Sequence, residues 1–462
     1  MQLPKELISS LLHVQGFNQQ AFEQVHNSGD QVTAIRINPS KTNDLDTSHF
    51  AFSVDNPVPW SSFGYYLSQR PSFTFDPFFH AGCYYVQDAS SMFLEEAVKQ
   101  SVDITKPLRV LDLCAAPGGK STHLQSLISS ESLLISNEVI KNRAGILKQN
   151  IYKWGSENVI VTNNDPQHFK KLEGFFDVIV IDAPCSGSGL FRKDAAALAH
   201  WSKDNVQLCC GRQKRIISDA IDSLKEGGVL IYSTCSYSRE EDEDIADWLV
   251  KEWNMENIKL TVAEDWGIVE TISQQTQSYG YRFFPDRLKG EGFYLSVFRK
   301  TTNPVAIKYK STKLEKATLK ENVIIKLWLV DKELTLLKEY FFYALPSTMV
   351  EDYSIIKAAL NVQYAGVAIG EIMKERLVPE HALAASSLVS SSIAKIEINY
   401  EEAILYLQKA EVKLNPSAKG WQLLTYQNRN LGWINALQNR VNNYYPKELR
   451  ILKQHNDSPF GK

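Results

Sequence analysis

Six apolar runs rich in β-branched residues punctuate the middle of the chain: Leu108–Leu113, Leu133–Ser136, Val159–Thr162, Phe176–Ile181, Gly228–Tyr232 and Gly292–Phe298. They end in polar or Gly-rich turns and lead into helical stretches. Strands alternating with helices predict a doubly wound, mainly parallel α/β sheet over residues 106–300. Runs this continuously apolar suit strands covered on both faces. Upstream, residues 1–105 are of mixed character, read as an α+β extension. They hold a strand-like Val32–Asn38 and an aromatic stretch from Trp60 to Tyr85 that reads as core packing. Lys and Thr mark 301–322 as a linker. Residues 323–462 return to folded patterns, starting with a strand-like Val323–Val330 and ending rich in Trp, Tyr and Asn.

The chain has 462 residues, room for about three domains. A hydrophobic fraction of 44% and a charged fraction of 22% exclude a disordered or collagen-like chain. None of the six cysteines stands in a C-x-x-C spacing, which argues against a disulfide framework and against a zinc site. No apolar run approaches the roughly 18 residues of a membrane span, and the first residues lack a signal-peptide pattern. The expectation is a cytoplasmic monomer with reduced thiols, no metal and no membrane partner. Net charge is −3, but residues 301–462 hold 21 basic and 16 acidic side chains. A mildly basic tail on an acidic body is compatible with a nucleic-acid partner.

The chemistry collects at the strand ends. The first run opens into Cys114-Ala115-Ala116-Pro117-Gly118-Gly119-Lys120 and then a helix near Ser121. Bare backbone lets a ligand approach closely there, and the helix N-terminus offers free N–H groups. In a doubly wound sheet, ligands sit outside the carboxyl ends of the strands. The loop is neither G-x-G-x-x-G nor a phosphate loop. Glu138, at the end of the second strand, can accept both hydroxyls of a ribose. Asp165, after the third, can receive an adenine amino proton. Together these describe an adenosine-bearing cofactor without a phosphate cradle, which S-adenosylmethionine fits. The fourth strand ends Asp182-Ala183-Pro184-Cys185-Ser186-Gly187-Ser188-Gly189 and the fifth Ser233-Thr234-Cys235-Ser236. If those strands are neighbours, Cys185 and Cys235 share one cleft, in turns where thiolates can form. Cys83, Cys209 and Cys210 read as small buried apolar residues.

These segments closely resemble the Sun-type (Fmu-type) RNA cytosine-C5 methyltransferases. The resemblance extends to Gly82–Met92, Gly280–Pro285 and Gly290–Tyr294, and covers about residues 30–300. It implies a Rossmann-like class I methyltransferase domain that uses S-adenosylmethionine and two cysteines. Cytosine C5 is too weak a nucleophile to take a methyl group unaided, so a thiolate adds to C6 first. The family pattern assigns that attack to the Thr-Cys-Ser cysteine, Cys235, and release of the product to Cys185. In DNA cytosine methyltransferases the Pro-Cys thiol attacks instead, which would point to Cys185. Asp182 would bind the N3/N4 edge of the base and Lys120 would orient it. Residues 114–120, Glu138, Asp165 and Asp182 would line the cofactor.

RNA must present an unstacked base, and Arg192 and Lys193 would bring cations to the mouth of the site. The acidic run Glu240–Asp244 reads as the opening of a helix, where carboxylates complement the dipole. Toward the C-terminus, Ala365–Gly370, Pro379–Ala384, Lys419–Trp421, Leu431–Trp433 and Asn442–Glu448 resemble the RsmF (YebU) branch of the family. That branch carries a PUA-like RNA-binding domain and acts on small-subunit ribosomal RNA. Arg429, Arg440, Lys447 and Arg450 could contact phosphates, while Trp421 and Trp433 read as core. The competing readings are the same chemistry on transfer RNA, and a non-catalytic ribosome-assembly factor that kept the fold.

Overall fold

The computed structural model describes residues 3–42, 50, 52–301, 308–414, 416, 418–438 and 440–453. Residues 302–307, within the stretch read as a linker, lie outside the described residues. Ten strands form the central sheet: β1 (Arg109–Asp112), β2 (Leu133–Asn137), β3 (Val159–Thr162), β4 (Phe176–Asp182), β5 (Leu224–Thr234), β6 (Met255–Ile258), β7 (Val269–Ile272), β8 (Tyr279–Phe283), β9 (Phe293–Lys300) and β10 (Val362–Ala365). Five of them, in the order β3-β2-β1-β4-β5, are parallel. Five of the six apolar runs are these strands and the sixth, Gly292–Phe298, is the antiparallel β9; the parallel ones were legible because each buries both of its faces. Val110, Val159, Val161, Val178 and Val180 pack on one side; Leu111, Ile135, Ile160, Ile179 and Ile181 pack on the other. This is the period-2 alternation of a pleated strand, made wholly apolar by helices above and below.

Beyond β5 the sheet turns antiparallel. β9 pairs with β5, and β6 and β8 pair with different halves of β9. β7 closes that edge. The opposite edge is closed by β10, which runs antiparallel to β3. Three helices matter for the site: α1 (Gly119–Leu127), α2 (Lys203–Ala220) and α3 (Glu243–Trp253).

An antiparallel four-stranded sheet with two preceding helices forms the N-terminal extension. Its aromatics are core residues: Trp60 and Tyr84 are buried, and the Trp60 indole N–H donates to the Ala89 carbonyl at 2.6 Å. Two further four-stranded sheets lie in the C-terminal part. The last of them, over residues 395–443, shares one core with the N-terminal sheet, where Ile35, Phe78 and Tyr84 meet Ile404, Leu424 and Ile434. The first half of Val323–Val330, read as strand-like, is instead the end of a helix, Leu319–Lys326, and the second half is a turn leading to an isolated bridge at Leu329. Thr318 and Glu321 form a reciprocal capping box at the start of that helix, and that local signal overrides the β-branched composition. Among the described residues, no helix is long and apolar enough to cross a membrane.

Candidate active site

The turn after β1 is held by its neighbours on every side. Ala115 N–H donates to the Asn137 carbonyl at 2.8 Å, Arg143 donates to the Ala116 carbonyl at 2.7 Å, and Asn150 to the Pro117 carbonyl at 2.8 Å. Gly118 sits at φ 115°, a conformation that L side chains rarely adopt. α1 therefore begins at Gly119, earlier than the polar pattern alone suggested. From the N-terminal extension, the buried Arg36 donates to the Gly119 carbonyl at 3.3 Å and to the Thr122 hydroxyl oxygen at 2.6 Å. The extension thus supports the loop from behind.

Asp112, the last residue of β1, was not singled out from the sequence. It is fully buried, accepts from the Ser121 hydroxyl at 2.7 Å, and leaves its Oδ1 without a hydrogen-bond partner. Burial pushes its carboxyl up to about 7, with the Asp182 charge adding to the rise and Lys120 opposing it. Glu138 is buried beside it; its carboxylate accepts from Ile140 N–H at 2.8 Å and lies 3.6 Å from Arg143. Cys114 is half-buried, and burial together with Asp112, Glu138 and Asp182 raises its thiol. Asp165 caps the following short helix, accepting from Gln167 N–H at 3.1 Å, and pairs with Arg215 at 3.4 Å.

Lys120 Nζ lies 2.8 Å from Asp182 Oδ2 and 5.1 Å from the centre of the Phe293 ring. The other Asp182 oxygen accepts from the Ser233 hydroxyl at 2.9 Å. Because β4 and β5 are paired in register at Asp182 and Ser233, the two cysteine turns rise side by side. Cys185 and Cys235 are free thiols with sulfurs 3.0 Å apart. The hydrogen bond with Cys235 and burial both raise the Cys185 thiol well above its ordinary value.

Arg192 and Lys193 are placed less openly than the sequence suggested. The Arg192 side chain is 5% exposed; it donates to the Asp30 carbonyl at 2.6 Å and approaches Glu291 at 3.8 Å. Lys193 pairs with Asp88 at 2.7 Å. Trp433 is buried, and its indole donates to the Glu380 carbonyl at 2.8 Å.

The acidic run does open α3, with Glu243 and Asp244 in its first turn, but its middle residues are interior. Glu241 and Asp242 are fully buried and Glu243 nearly so; they do not decorate a solvated helix end. Arg282, itself 1% exposed, binds Glu243 with two nitrogens at 2.7 and 2.5 Å and reaches Asp242 at 3.0 Å. Asp242 also accepts from the Thr234 hydroxyl at 2.6 Å. Arg282 lies 39 residues from Glu243 and 40 from Asp242, so no local spacing announces it.

Comparison with known proteins matches three segments of the chain in order. A model for the N-terminal domain of 16S rRNA methyltransferase RsmF matches residues 3–89. A model for 16S rRNA methyltransferase RsmB/F matches 101–299, and one for the methyltransferase RsmF PUA domain matches 393–451. A protein named ribosomal RNA small subunit methyltransferase F from Shewanella piezotolerans is 28% identical over 85% of this chain and 85% of its own. One of the same name from Escherichia coli O127:H6 is 28% identical over 90% of each. A crystal structure described as a methyltransferase homolog protein from Pyrococcus horikoshii is 27% identical, with a TM-score of 0.51 over 64% of this chain and 100% of that one. With its catalytic sheet, its N-terminal extension and its C-terminal PUA domain all matched, the chain belongs to the RsmF-like branch of the Sun/Fmu methyltransferase family.

Proposed function

We propose that this chain transfers a methyl group from S-adenosylmethionine to C5 of a cytosine in small-subunit ribosomal RNA, by way of a transient bond between Cys235 and C6. The observation that carries the reading is the pair of free thiols 3.0 Å apart on adjacent parallel strand ends, beside the Lys120–Asp182 pair. The names of the relatives supply the class of RNA.

The residues present suit the cofactor. Gly118 and Gly119 keep the loop free of side chains, and the buried Oδ1 of Asp112 is an acceptor in want of a donor. Residues 114–120, Glu138, Asp165 and Asp182 would hold the cofactor, which supplies an electrophilic methyl group when bound. Cys235 forms the S–C6 bond and pushes electrons toward C5. Asp182 holds the N3/N4 edge of the base, with Lys120 fixing its carboxylate. After C5 takes the methyl, Cys185 assists the step in which the C5 proton leaves and the S–C6 bond breaks. In this division of labour 106–300 carry the chemistry, 301–322 link, and 1–105 and 323–462 hold RNA in a cytoplasmic monomer. Lys193 faces the RNA, and Arg192 anchors the loop that carries it.

The test is transfer of labelled methyl to ribosomal RNA lacking the modification, with wild type, Cys235→Ala and Cys185→Ala side by side. The expected pattern is no transfer and no denaturation-resistant protein–RNA adduct for Cys235→Ala, and accumulation of the adduct for Cys185→Ala. The reverse pattern would move the nucleophile to Cys185. Transfer to transfer RNA alone would change the substrate, and no transfer to any RNA would overturn the reading.

A further inference from the structure

Glu241 stands on the turn that leads into α3, and it is fully buried. Its carboxylate collects four hydrogen bonds. Oε1 accepts from Ser186 N–H at 2.8 Å and from the Gln213 amide at 3.1 Å. Oε2 accepts from the Ser186 hydroxyl at 2.5 Å and from the Ser236 hydroxyl at 2.6 Å. Ser186 directly follows Cys185, and Ser236 directly follows Cys235. One planar carboxylate therefore ties together the residues that follow the two thiols. Gln213, reaching in from α2, also donates to the Pro184 carbonyl at 3.1 Å, on the other side of Cys185. From below, the Tyr232 hydroxyl fixes the Glu241 carbonyl at 2.7 Å.

A helix-opening acid needs none of this. Burying a carboxylate is costly unless its lone pairs are satisfied, and here four donors from three separate segments satisfy it. The donors are arranged across the gap between the two cysteine turns. A carboxylate suits the place because every partner donates, and only an acceptor with two oxygens can serve two loops at once.

We propose that Glu241 is a positioning residue that sets Cys185 against Cys235, through the serine that follows each. This inference rests on the two-cysteine reading given above. It predicts that the two straps act on different steps. Loosening Ser236 displaces the attacking thiol, so adduct forms slowly. Loosening Ser186 displaces the releasing thiol, so adduct forms at the normal rate and persists. Severing both by Glu241→Gln puts an amide donor where only donors point, and disturbs both steps.

The experiment compares wild type, Ser186→Ala, Ser236→Ala and Glu241→Gln in single-turnover methyl transfer at saturating RNA and cofactor. The fraction of protein held as adduct is followed on a denaturing gel, and KM for RNA is measured in parallel. Glu241→Gln should lose about a hundredfold in the transfer rate constant, the scale of an ångström-sized misplacement, with KM for RNA little changed. Ser186→Ala should raise the adduct fraction and Ser236→Ala should lower it. A purely structural role would move both serine variants in the same direction, and that result overturns the proposal, even if Glu241→Gln does not fold. Wild-type rates in all three variants overturn it as well. If wild type itself transfers no methyl to cytosine C5, the underlying reading fails first, and the proposal fails with it.

Discussion

Gly189 is where main chain meets main chain at the back of the cysteine turns. Its N–H donates to the Cys235 carbonyl at 2.9 Å, and its carbonyl accepts from Gly292 N–H at 3.0 Å. Its backbone conformation is open to any residue, so the demand for glycine is one of space. A Cβ there would lie 2.8 Å from the Cys235 oxygen and 2.5 Å from the Gly292 oxygen, where ordinary contact begins near 3.4 Å. Both obstacles are backbone and cannot swing aside. Gly189→Ala must therefore move the Cys235 turn by about 0.6 Å and the Gly292 strand entry by about 0.9 Å, or spread the difference between them. Overpacking of this kind costs about 1–3 kcal/mol of stability. A nucleophile displaced on the ångström scale loses on the order of a hundredfold in rate. The assay is single-turnover methyl transfer at saturating RNA and cofactor, with the unfolding midpoint in denaturant measured on the same preparation. Gly211→Ala, in α2, is the matched control, because its Cβ would meet nothing within 4 Å; it should keep the wild-type rate and gain roughly 0.5–1 kcal/mol. A Gly189→Ala enzyme that turns over at the wild-type rate would refute the claim that this packing places Cys235.

Two other perturbations probe the buried charges. Arg282→Met leaves Asp242 and Glu243 without their cation and should destabilise the fold by about 3–5 kcal/mol in denaturant titration; a loss within experimental error would mean the two carboxyls are neutral in the fold. For Asp112 the sign follows from its raised carboxyl: the charged form is disfavoured in the folded state, so native stability falls as pH rises from 3.8 through about 7. Asp112→Asn escapes that loss, and its melting temperature should overtake wild type progressively across this window while its affinity for S-adenosylmethionine drops. A constant melting difference at all pH values would show that Asp112 does not titrate there.

The parts of this molecule that were legible in the sequence are those in which one strand or one turn decides the matter. Each parallel strand announces itself because its own residues are apolar on both faces, and the turn from Cys114 to Lys120 because its own backbone must be bare. The pairing of Cys185 with Cys235 followed from two strand ends and one assumption about order. What stayed hidden depends on partners far along the chain. Glu241, Asp242 and Glu243 look like any acidic helix start, and only Ser186, Thr234 and Arg282, brought in by the fold, make them interior residues. Arg192 reads as a surface cation until Asp30 and Glu291 enclose it. The strand-like look of Val323–Val330 yielded to a cap placed just ahead of it.

The edge strand β10 has a consequence for how the chain is made. Asn361 and Asn164 bond to one another although 197 residues separate them, and Val362 to Ala365 then cover β3. During synthesis the catalytic sheet emerges long before the strand that seals it. Until then β3 presents unpaired backbone along a Val-Ile-Val-Thr edge, the kind of surface that recruits other chains. A nascent chain halted before residue 362 would therefore carry nearly all of its chemistry and an unsealed margin. Emergence of residues 362–365 lets β10 pair with β3, which closes that margin and ends its exposure.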